Sequence, residues 1–237
     1  MKTKAIMNWS GGKDSSLALH KTRQDQSIEI VALLTTLNKQ YARVSMHGTT
    51  ETLLDAQAKA INLPLIKIYI PEDATMQSYE AAMSKAMNDL KTQGVTLSIF
   101  GDIFLQDLKQ YRINKLKEIG FDAHFPLWKT DTTTLAQQFV QDDFKGITTC
   151  VNAQSLGKNY IGREMNSDFF SSLPSNVDPC GENGEYHSFV YAGPHMQSPL
   201  TIKKGDTVYR EYKSPEKSDS NEPNLQMGFY YCDLLLD

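Results

Sequence analysis

The stretch Ser10-Gly11-Gly12-Lys13-Asp14-Ser15 decides both the expected fold and the expected chemistry. Apolar residues 5–7 before it indicate a buried strand, and residues 16–20 after it indicate the first turns of a helix. Glycines let backbone N–H groups approach a phosphate closely, and the start of a helix adds about half a positive charge. The lysine adds a point charge and the two serines add hydroxyl donors. The stretch therefore predicts a binding site for a di- or triphosphate.

Two common phosphate loops do not fit this stretch. The Walker A pattern needs a glycine five residues before the Gly-Lys pair and Ser or Thr after the lysine, but Met7 and Asp14 hold those positions. The spacing also differs from the dinucleotide pattern G-x-G-x-x-G. A Ser-Gly-Gly-Lys-Asp-Ser loop after the first strand instead resembles the pyrophosphate loop of the N-type ATP pyrophosphatases. The resemblance implies cleavage of ATP between the α and β phosphates, transfer of AMP to a substrate oxygen and release of pyrophosphate.

Composition excludes several classes of protein. The 237 residues carry a formal net charge of -4 and contain no basic stripe. We therefore do not expect the protein to be a general nucleic-acid binder. No apolar run approaches the roughly 20 residues of a membrane helix, and the N-terminus leads directly into a strand without a signal peptide. Three cysteines without a C-x-x-C pair, Cys150, Cys180 and Cys232, argue against a disulfide framework, a zinc site or an iron–sulfur cluster. We expect a cytoplasmic protein.

Predicted strands and helices alternate along residues 1–151. The strands are expected at 5–7, 28–34, 65–70, 95–100, 123–126 and 146–151. The first helix is expected to end near residues 23–25, and the later helices are expected at 49–61, 71–94, 105–119 and 132–142. This alternation predicts an α/β fold, a five-stranded type of parallel sheet with helices on both faces. Ligands bind beyond the C-terminal strand ends of such sheets, so loops 10–15, 35–37, 101–102 and 126–128 are expected to carry the chemistry.

From residue 152 the rhythm changes. Proline, glycine and asparagine become frequent and short strand-like runs follow, so we predict a smaller α+β, substrate-binding domain over 152–237 beside an ATP-binding domain over 1–151. Residues 213–224 are predicted to form a polar loop. Residues 228–234 are predicted to form a last apolar strand, whose edge is expected to pair with a second copy of the chain in a homodimer.

A second informative stretch is Gly181-Glu182-Asn183-Gly184-Glu185-Tyr186-His187-Ser188. Its glycines allow the backbone to turn tightly around a ligand. The two glutamates can bind a substrate amine or Mg²⁺, or act as a base.

Four motifs together give the chain a family resemblance. They are Ser10-Gly11-Gly12-Lys13-Asp14-Ser15, Gly101-Asp102-Ile103, Pro126-Leu127-Trp128 and Gly181-Glu182-Asn183-Gly184-Glu185-Tyr186. In this order and spacing they resemble the diphthine–ammonia ligase family, an ATP-binding group within the adenine nucleotide alpha hydrolase-like superfamily. The first motif is typical of the superfamily and the last of the family. The resemblance covers nearly the whole chain.

The resemblance implies a role for each matching residue. Residues 10–15 would hold the ATP phosphates, with Lys13 and Asp14 in catalytic roles. Thr35 and Thr36 would lie near the adenine, and Gly101 would complete the ATP site. The acceptor side would be formed by Asp102, Glu182, Asn183, Glu185 and His187, with Glu182 and Glu185 also catalytic. The implied reaction converts a carboxylate into an acyl-adenylate, which ammonia or an amine then attacks to give an amide.

Several roles have alternatives from the residues themselves. Asp14 can cap the first helix or bind Mg²⁺, and Asp102 can bind Mg²⁺ or a substrate ammonium group. Arg112 can bind a phosphate or carboxylate, or pair on a helix surface. The sequence departs from the diphthine enzymes at Asp102, at Asn183 in place of a glycine, and at His187-Ser188 in place of an acidic residue and threonine. The carboxylate acceptor is therefore unknown and is expected to be a small molecule.

Two other functions compete with the ligase. One is modification of tRNA by a related ATP pyrophosphatase, which predicts cysteine pairs or a basic face, and the sequence has neither. The other is a regulatory module that binds nucleotide without turnover, against which the glutamate pair at 182 and 185 argues. With no glutaminase domain in the sequence, ammonia is expected to arrive free or from a partner chain.

Overall fold

The computed structural model describes residues 1–44, 47–213 and 226–237. Five strands form the first sheet: β1 (Thr3–Asn8), β2 (Ile28–Asn38), β3 (Leu65–Ile70), β4 (Leu97–Ile99) and β5 (Asp122–His124). All four pairings are parallel and the order is β3-β2-β1-β4-β5. The parallel sheet that the alternating sequence pattern predicts is confirmed.

Helices cover both faces of this sheet, as predicted. They are α1 (Lys13–Arg23), α2 (Glu51–Ile61), α3 (Met76–Thr92), α4 (Gln106–Glu118), α5 (Thr132–Gln141) and α6 (Ser167–Ser171). Successive strand residues point to opposite faces. In β1, Ala5 and Met7 pack in a core with α1 and α2, whereas Ile6 packs in a second core with α3 and α4. The two helix pairs therefore lie on opposite sides of the central strand.

Two predicted boundaries near the sheet were wrong by four residues or more. Strand β2 continues past residue 34 to Asn38, because β3 is long enough to pair with Thr35, Thr36 and Leu37. The residues 35–37, predicted as a loop, are thus strand residues at its C-terminal end. Helix α3 begins at Met76 rather than at residue 71, because Thr75 caps it by accepting a hydrogen bond from the Ser78 amide at 3.2 Å.

A second, antiparallel sheet forms the C-terminal part. Its strands are β6 (Lys145–Asn152), β7 (Tyr186–Ala192), β8 (Ile202–Lys213) and β9 (Gln226–Leu236), in the order β7-β6-β9-β8. A 3₁₀ turn, Lys158–Tyr160, and α6 lie between β6 and β7. This confirms the smaller α+β part of the predicted fold. Most of the predicted polar loop 213–224 lies outside the described residues.

Strand β6 does not continue the parallel sheet, although its position after α5 suggested that it would. It pairs antiparallel with β7 and β9. The apolar pattern that identifies a strand contains no information about its distant partners, which explains the error. The boundary at 151/152 stays a prediction. The C-terminal strand β9 lies between β6 and β8 and is not an edge, so the predicted homodimer cannot use it as one.

The order of the strands creates a reversal between β1 and β4. Chain connections run from β1 outward to β3 on one side and from β4 to β5 on the other. The Asn8 side chain joins the two central strands, since its Nδ2 donates to Ser98 Oγ at 2.8 Å and to the Ile99 carbonyl at 2.9 Å. Ligands of open α/β sheets bind beyond the strand ends at such a reversal. No helix in the described ranges has the length and apolar character needed to cross a membrane.

Candidate active site

A cleft of about 420 Å³ lies at the C-terminal ends of β1, β2 and β4. It contains most of the site residues predicted from the sequence: Ser10, Gly12, Asp14, Ser15, Thr35, Thr36, Gly101, Asp102, Glu182 and His187. The second sheet supplies one wall through residues 180–188. Residues 126–128, predicted to carry chemistry, do not line the cleft, because β5 is an edge strand away from the reversal.

The phosphate-type loop is held from behind by the second sheet. Gly11 has a φ of +80°, and its carbonyl accepts hydrogen bonds from the Val190 amide at 2.9 Å and from Gln57 Nε2 at 2.9 Å. The amide of Lys13, the first residue of α1, donates to Ser188 Oγ at 3.1 Å. These bonds fix the loop against β7, which lies 175 residues later in the chain.

The start of α1 offers an anion site at the floor of the cleft. Its cap residue, Gly12, has no side chain that could cap the helix. Ser188 Oγ accepts only from the first amide, that of Lys13, and the amides of Asp14 and Ser15 have no hydrogen-bond partner among the described residues. Asp14, for which the sequence left capping open, is instead in the first turn. Uncapped N-terminal amides and the helix dipole favour a bound phosphate.

Close backbone contacts explain two of the glycines. A Cβ at Gly12 would lie 2.9 Å from the Ser188 carbonyl oxygen. A Cβ at Gly101 would lie 2.9 Å from the Asp14 carbonyl carbon and 3.0 Å from the Ser15 amide nitrogen. Real Cβ atoms do not tolerate such contacts with backbone, so β4 can approach the helix start only through glycine.

Lys13 lies behind the cleft wall rather than in it. Its side chain is 1% exposed and Nζ pairs with Asp14 Oδ1. Burial by itself lowers the pKa of the Lys13 ammonium, but the Asp14 charge and its hydrogen bond outweigh burial, and the net effect is a raised pKa. Lys13 is therefore charged at neutral pH and provides a fixed positive charge beneath the loop.

Asp102 forms an ion pair across the mouth of the cleft. Its Oδ2 lies 3.0 Å from Arg112 Nε, although the two atoms are not aligned for a hydrogen bond. Burial raises the pKa of Asp102, the Arg112 charge opposes this, and the charge of Asp14 raises the pKa further. The Arg112 guanidinium also lies 4.4 Å from the centre of the Phe100 ring.

Glu182 connects the second sheet's loop to the first sheet. Its Oε1 accepts a hydrogen bond from the Ile103 amide at 3.0 Å, just after β4. Burial raises the pKa of Glu182 to about 7, against the lowering effect of that hydrogen bond. A carboxyl group that titrates near neutral pH beside a phosphate-type site can exchange a proton during a reaction.

Glu185 organises the loop instead of lining the cleft. It is 5% exposed and accepts hydrogen bonds from the amides of Asp178 at 3.0 Å and Asn183 at 2.9 Å, and from Asn183 Nδ2 at 3.1 Å. Asn183 itself is exposed. The sequence motif therefore contains one glutamate that faces the cleft and one that shapes the turn carrying it.

Two histidine rings lie in contact, tilted against each other, at the phosphate end of the cleft. The rings of His47 and His187 have centroids 4.3 Å apart and planes at 33°. Burial, with a smaller contribution from Lys13, lowers the pKa of His187 to about 4. Burial and the neighbouring His187 also lower the pKa of His47 well below its usual value. Both imidazoles are therefore neutral at pH 7.

The remaining wall combines a free hydroxyl with apolar side chains. Thr35 is 3% exposed, and its Oγ1 has no hydrogen-bond partner among the described residues. Tyr79 and Met83 of α3 and Leu108 of α4 line the opposite side. No sequence pattern identifies these three as cleft residues, because a helix face that lines a cleft has the same apolar spacing as one that faces the core.

Cys180 adjoins the site without being reactive. It is 3% exposed, and burial raises the pKa of its thiol to about 12. A thiolate nucleophile is thus absent at this position at neutral pH.

The donor set fits a nucleotide better than a protein-bound metal. In the ranges 1–44, 47–213 and 226–237, no three His, Cys, Asp or Glu side chains are grouped to bind an ion. Asp14 and Asp102 do approach closely enough for the charge of one to raise the pKa of the other. Two carboxylates of this kind fit Mg²⁺ that arrives with phosphate oxygens, since Mg²⁺ usually keeps few protein ligands.

Models of known protein families match both parts of the chain. A model of the diphthamide synthase N-terminal domain matches residues 1–122, and a model of the diphthamide synthase C-terminal domain matches residues 131–216. A search of curated proteins gives no significant match. The family indicates an ATP-using, ligase-like enzyme. Since the two models span most of the chain, the protein belongs to the diphthamide synthase family.

Proposed function

We propose that this protein is an ATP-dependent, AMP-forming ligase that joins ammonia or an amine to a carboxylate. The observation that carries the proposal is the start of α1 at the floor of a cleft, where the amides of Asp14 and Ser15 have no hydrogen-bond partner among the described residues. ATP would place its phosphates there, with Thr35 and Thr36 toward the adenosine end. Mg²⁺ would bind Asp14 and Asp102 together with phosphate oxygens.

The proposed reaction has two balanced steps. A carboxylate oxygen attacks the α-phosphorus, the bond between the α-phosphorus and its bridging oxygen breaks, and pyrophosphate leaves. Ammonia then attacks the acyl carbon, AMP leaves with the bonding electrons, and one proton is lost from nitrogen. Lys13 stabilises the negative charge of the departing pyrophosphate from beneath the loop.

Glu182 is the proposed proton acceptor of the second step. It lines the cleft and has a pKa of about 7 because of burial. Such a group can take the proton that the attacking nitrogen loses. Glu185, which accepts three hydrogen bonds within its own loop, is a positioning residue for Glu182 and His187.

The cellular setting is part of the same proposal. All three cysteines are buried and free, which suits a reducing compartment such as the cytoplasm. The acceptor is proposed to be a small carboxylic acid and the nitrogen donor free ammonia or an amine. A homodimer would have to use an edge strand (β3, β5, β7 or β8) or a surface outside the sheets, since β9 is an interior strand.

Phosphorus NMR tests the reaction. The protein is incubated with ATP, Mg²⁺, ammonium and a small-molecule cell extract, beside Lys13→Ala and the control Lys59→Ala, an exposed lysine on α2. AMP and pyrophosphate should form only with extract, disappear in Lys13→Ala and persist in Lys59→Ala. ADP and phosphate would overturn cleavage between the α and β phosphates. Tight ATP binding without any turnover would support the regulatory alternative.

A further inference from the structure

A second cavity of about 470 Å³ lies between α3 and α4 and adjoins the cleft. We call it the α3–α4 chamber. The residues common to both cavities form the passage between them: Asn8, Tyr79, Met83, Phe100, Leu108 and Arg112. A cavity of this size holds a small organic molecule or a single large side chain.

The inner walls of the chamber are apolar. Met83 and Met87 of α3, Leu116 of α4 and the Phe100 ring face it. Methionines adapt to ligands of irregular shape, and an aromatic ring offers a flat contact surface. The inner part of the chamber is therefore suited to an apolar body.

The charges at the outer end of the chamber are already paired. Glu80 accepts a hydrogen bond from Tyr111 Oη at 3.1 Å and another from Lys115 Nζ at 3.2 Å. Lys115 also lies 3.5 Å from Glu118. A ligand gains little from this end, because these groups already neutralise one another.

Arg112, at the passage, is different. Its Nε faces Asp102 at 3.0 Å and its plane lies over Phe100 at 4.4 Å, which together fix the orientation of the guanidinium. Within the described part of the chain, its two terminal nitrogens make no hydrogen bond. A fixed guanidinium with a free fork is the protein group best matched to a carboxylate.

We propose that the α3–α4 chamber binds the acceptor of the proposed reaction, and that this acceptor is a small organic acid with an apolar body. The apolar body lies against Met83 and Met87, and the carboxylate binds the free fork of Arg112 at the edge of the ATP cleft. This inference rests on the proposed function for calling the ligand an acceptor. ATP phosphates have their own site at α1, on the opposite face of the sheet from α4.

Equilibrium binding tests the inference without requiring turnover. The probes are 4-phenylbutyrate and its uncharged counterpart 4-phenylbutan-1-ol, each measured by calorimetry with α,β-methylene-ATP and Mg²⁺ present. The acid should bind the wild type at least about tenfold more tightly than the alcohol, equivalent to about 1.4 kcal/mol, because only the acid can form a charge-assisted bidentate contact with Arg112. Arg112→Met should abolish this preference.

A variant that fills the chamber distinguishes between two occupants, an organic acid and the adenine base of ATP. Ser84 lines the chamber but not the cleft, so Ser84→Phe should abolish binding of both probes and leave the affinity for the ATP analogue unchanged. Asn88→Phe, one turn further along α3 and exposed, is the matched control and should change neither. Weaker binding of the ATP analogue to Ser84→Phe would assign the chamber to the adenine base.

Two further results would overturn the acid site. These are failure of 4-phenylbutyrate to bind the wild type, and equal binding to the wild type and Arg112→Met. Either result leaves AMP formation with cell extract as an independent test of the ligase. Conversely, acid binding without AMP formation would reject the ligase while retaining the acid site.

Discussion

Glu182 is a residue whose ionisation should be visible in the stability of the whole protein. Burial raises its pKa from 4.5 to about 7 in the folded state. Between these values the native protein holds a proton that the unfolded chain has lost, so the free energy of unfolding should fall as pH rises through this window. Glu182→Gln should lack this fall.

The comparison is made by thermal unfolding of the wild type and Glu182→Gln at pH 5 and pH 8. Subtracting the unfolding midpoint of one protein from that of the other at each pH removes the contributions of the other titrating groups. The midpoint of the wild type should drop relative to the variant at pH 8. Parallel pH profiles would show that Glu182 is ordinarily solvated. If Glu182 accepts a proton in catalysis, amide formation should also rise with an apparent pKa near 7 and be lost in the variant.

Gly101 is a residue where one methyl group should close the site. A Cβ there would meet the backbone of Asp14 and Ser15 at 2.9 to 3.0 Å, and backbone cannot move aside as a flexible side chain can. Gly101→Ala should therefore weaken binding of α,β-methylene-ATP by about tenfold or more, equivalent to about 1.4 kcal/mol. Gly94→Ala is the control. A Cβ at Gly94 would meet nothing within 4 Å, although the residue itself has a φ of +81°, which is unfavourable for alanine. Equal effects of both changes on binding would contradict this account.

At the scale of an element, the turn 178–185 is held by the buried carboxylate of Glu185. Its three hydrogen bonds come from Asp178 and Asn183. Glu185→Gln replaces one accepting oxygen by an amide donor, so at least one of these donors loses its partner. The expected loss is about 1 to 3 kcal/mol in the free energy of unfolding, measured by urea denaturation.

The exposed Glu29 provides the control for this change. Glu29→Gln on β2 should alter stability by less than about 0.5 kcal/mol. Glu185→Gln should in addition weaken binding of the ATP analogue, because the same turn positions Glu182 and His187. Full stability in Glu185→Gln would mean that solvent replaces these hydrogen bonds without loss.

At the scale of the whole molecule, the two sheets share one core and should unfold together. That core joins Ala5 and Met7 of β1 to Val151 of β6 and Val190 of β7. Gln57, fully buried on α2, adds a polar bridge: its Nε2 donates to the carbonyls of Gly11 at 2.9 Å and Val190 at 2.6 Å, and its Oε1 accepts from Trp9 at 2.9 Å.

Gln57→Leu removes this bridge without leaving a cavity. Buried groups on Val190 and Trp9 then lack a partner, so stability should fall by about 1 to 3 kcal/mol. Far-UV circular dichroism and tryptophan fluorescence should shift together in one transition. Gln93→Leu, an exposed change at the end of α3, is the control. Two separated transitions in the wild type would contradict the shared core.

Local sequence patterns identified the strands of the first sheet and the helices α1 to α5, but not all of their ends. Continuous apolar runs identified β2 and β3, because strands buried on both faces have no polar alternation. The predicted end of β2 was wrong, because β3 must be long enough for Thr35 and Thr36 to pair with it. Helix α3 started later than predicted because a threonine cap outweighed the proline signal at residue 71.

The candidate site was also predictable only where its residues form a local sequence pattern. Residues 10–15 have a local signature, because a glycine turn between a strand and a helix needs no distant partner to be recognised. Arg112 was a candidate, but its free fork and its contact with Phe100 depend on how α4 packs against β4. Tyr79, Met83 and Leu108 have no sequence signal that separates a cleft wall from a core.

The sequence by itself determined the elements, the parallel α/β class and the phosphate-type loop, because each of these depends on short-range patterns of apolar residues, glycines and caps. Only the tertiary structure decided that β6 joins the second sheet, that Glu182 faces the cleft while Glu185 is buried in its turn, and that the ring of His47 contacts the ring of His187. These features depend on contacts between residues far apart in the chain, whose free energies are set by packing and burial rather than by any local pattern.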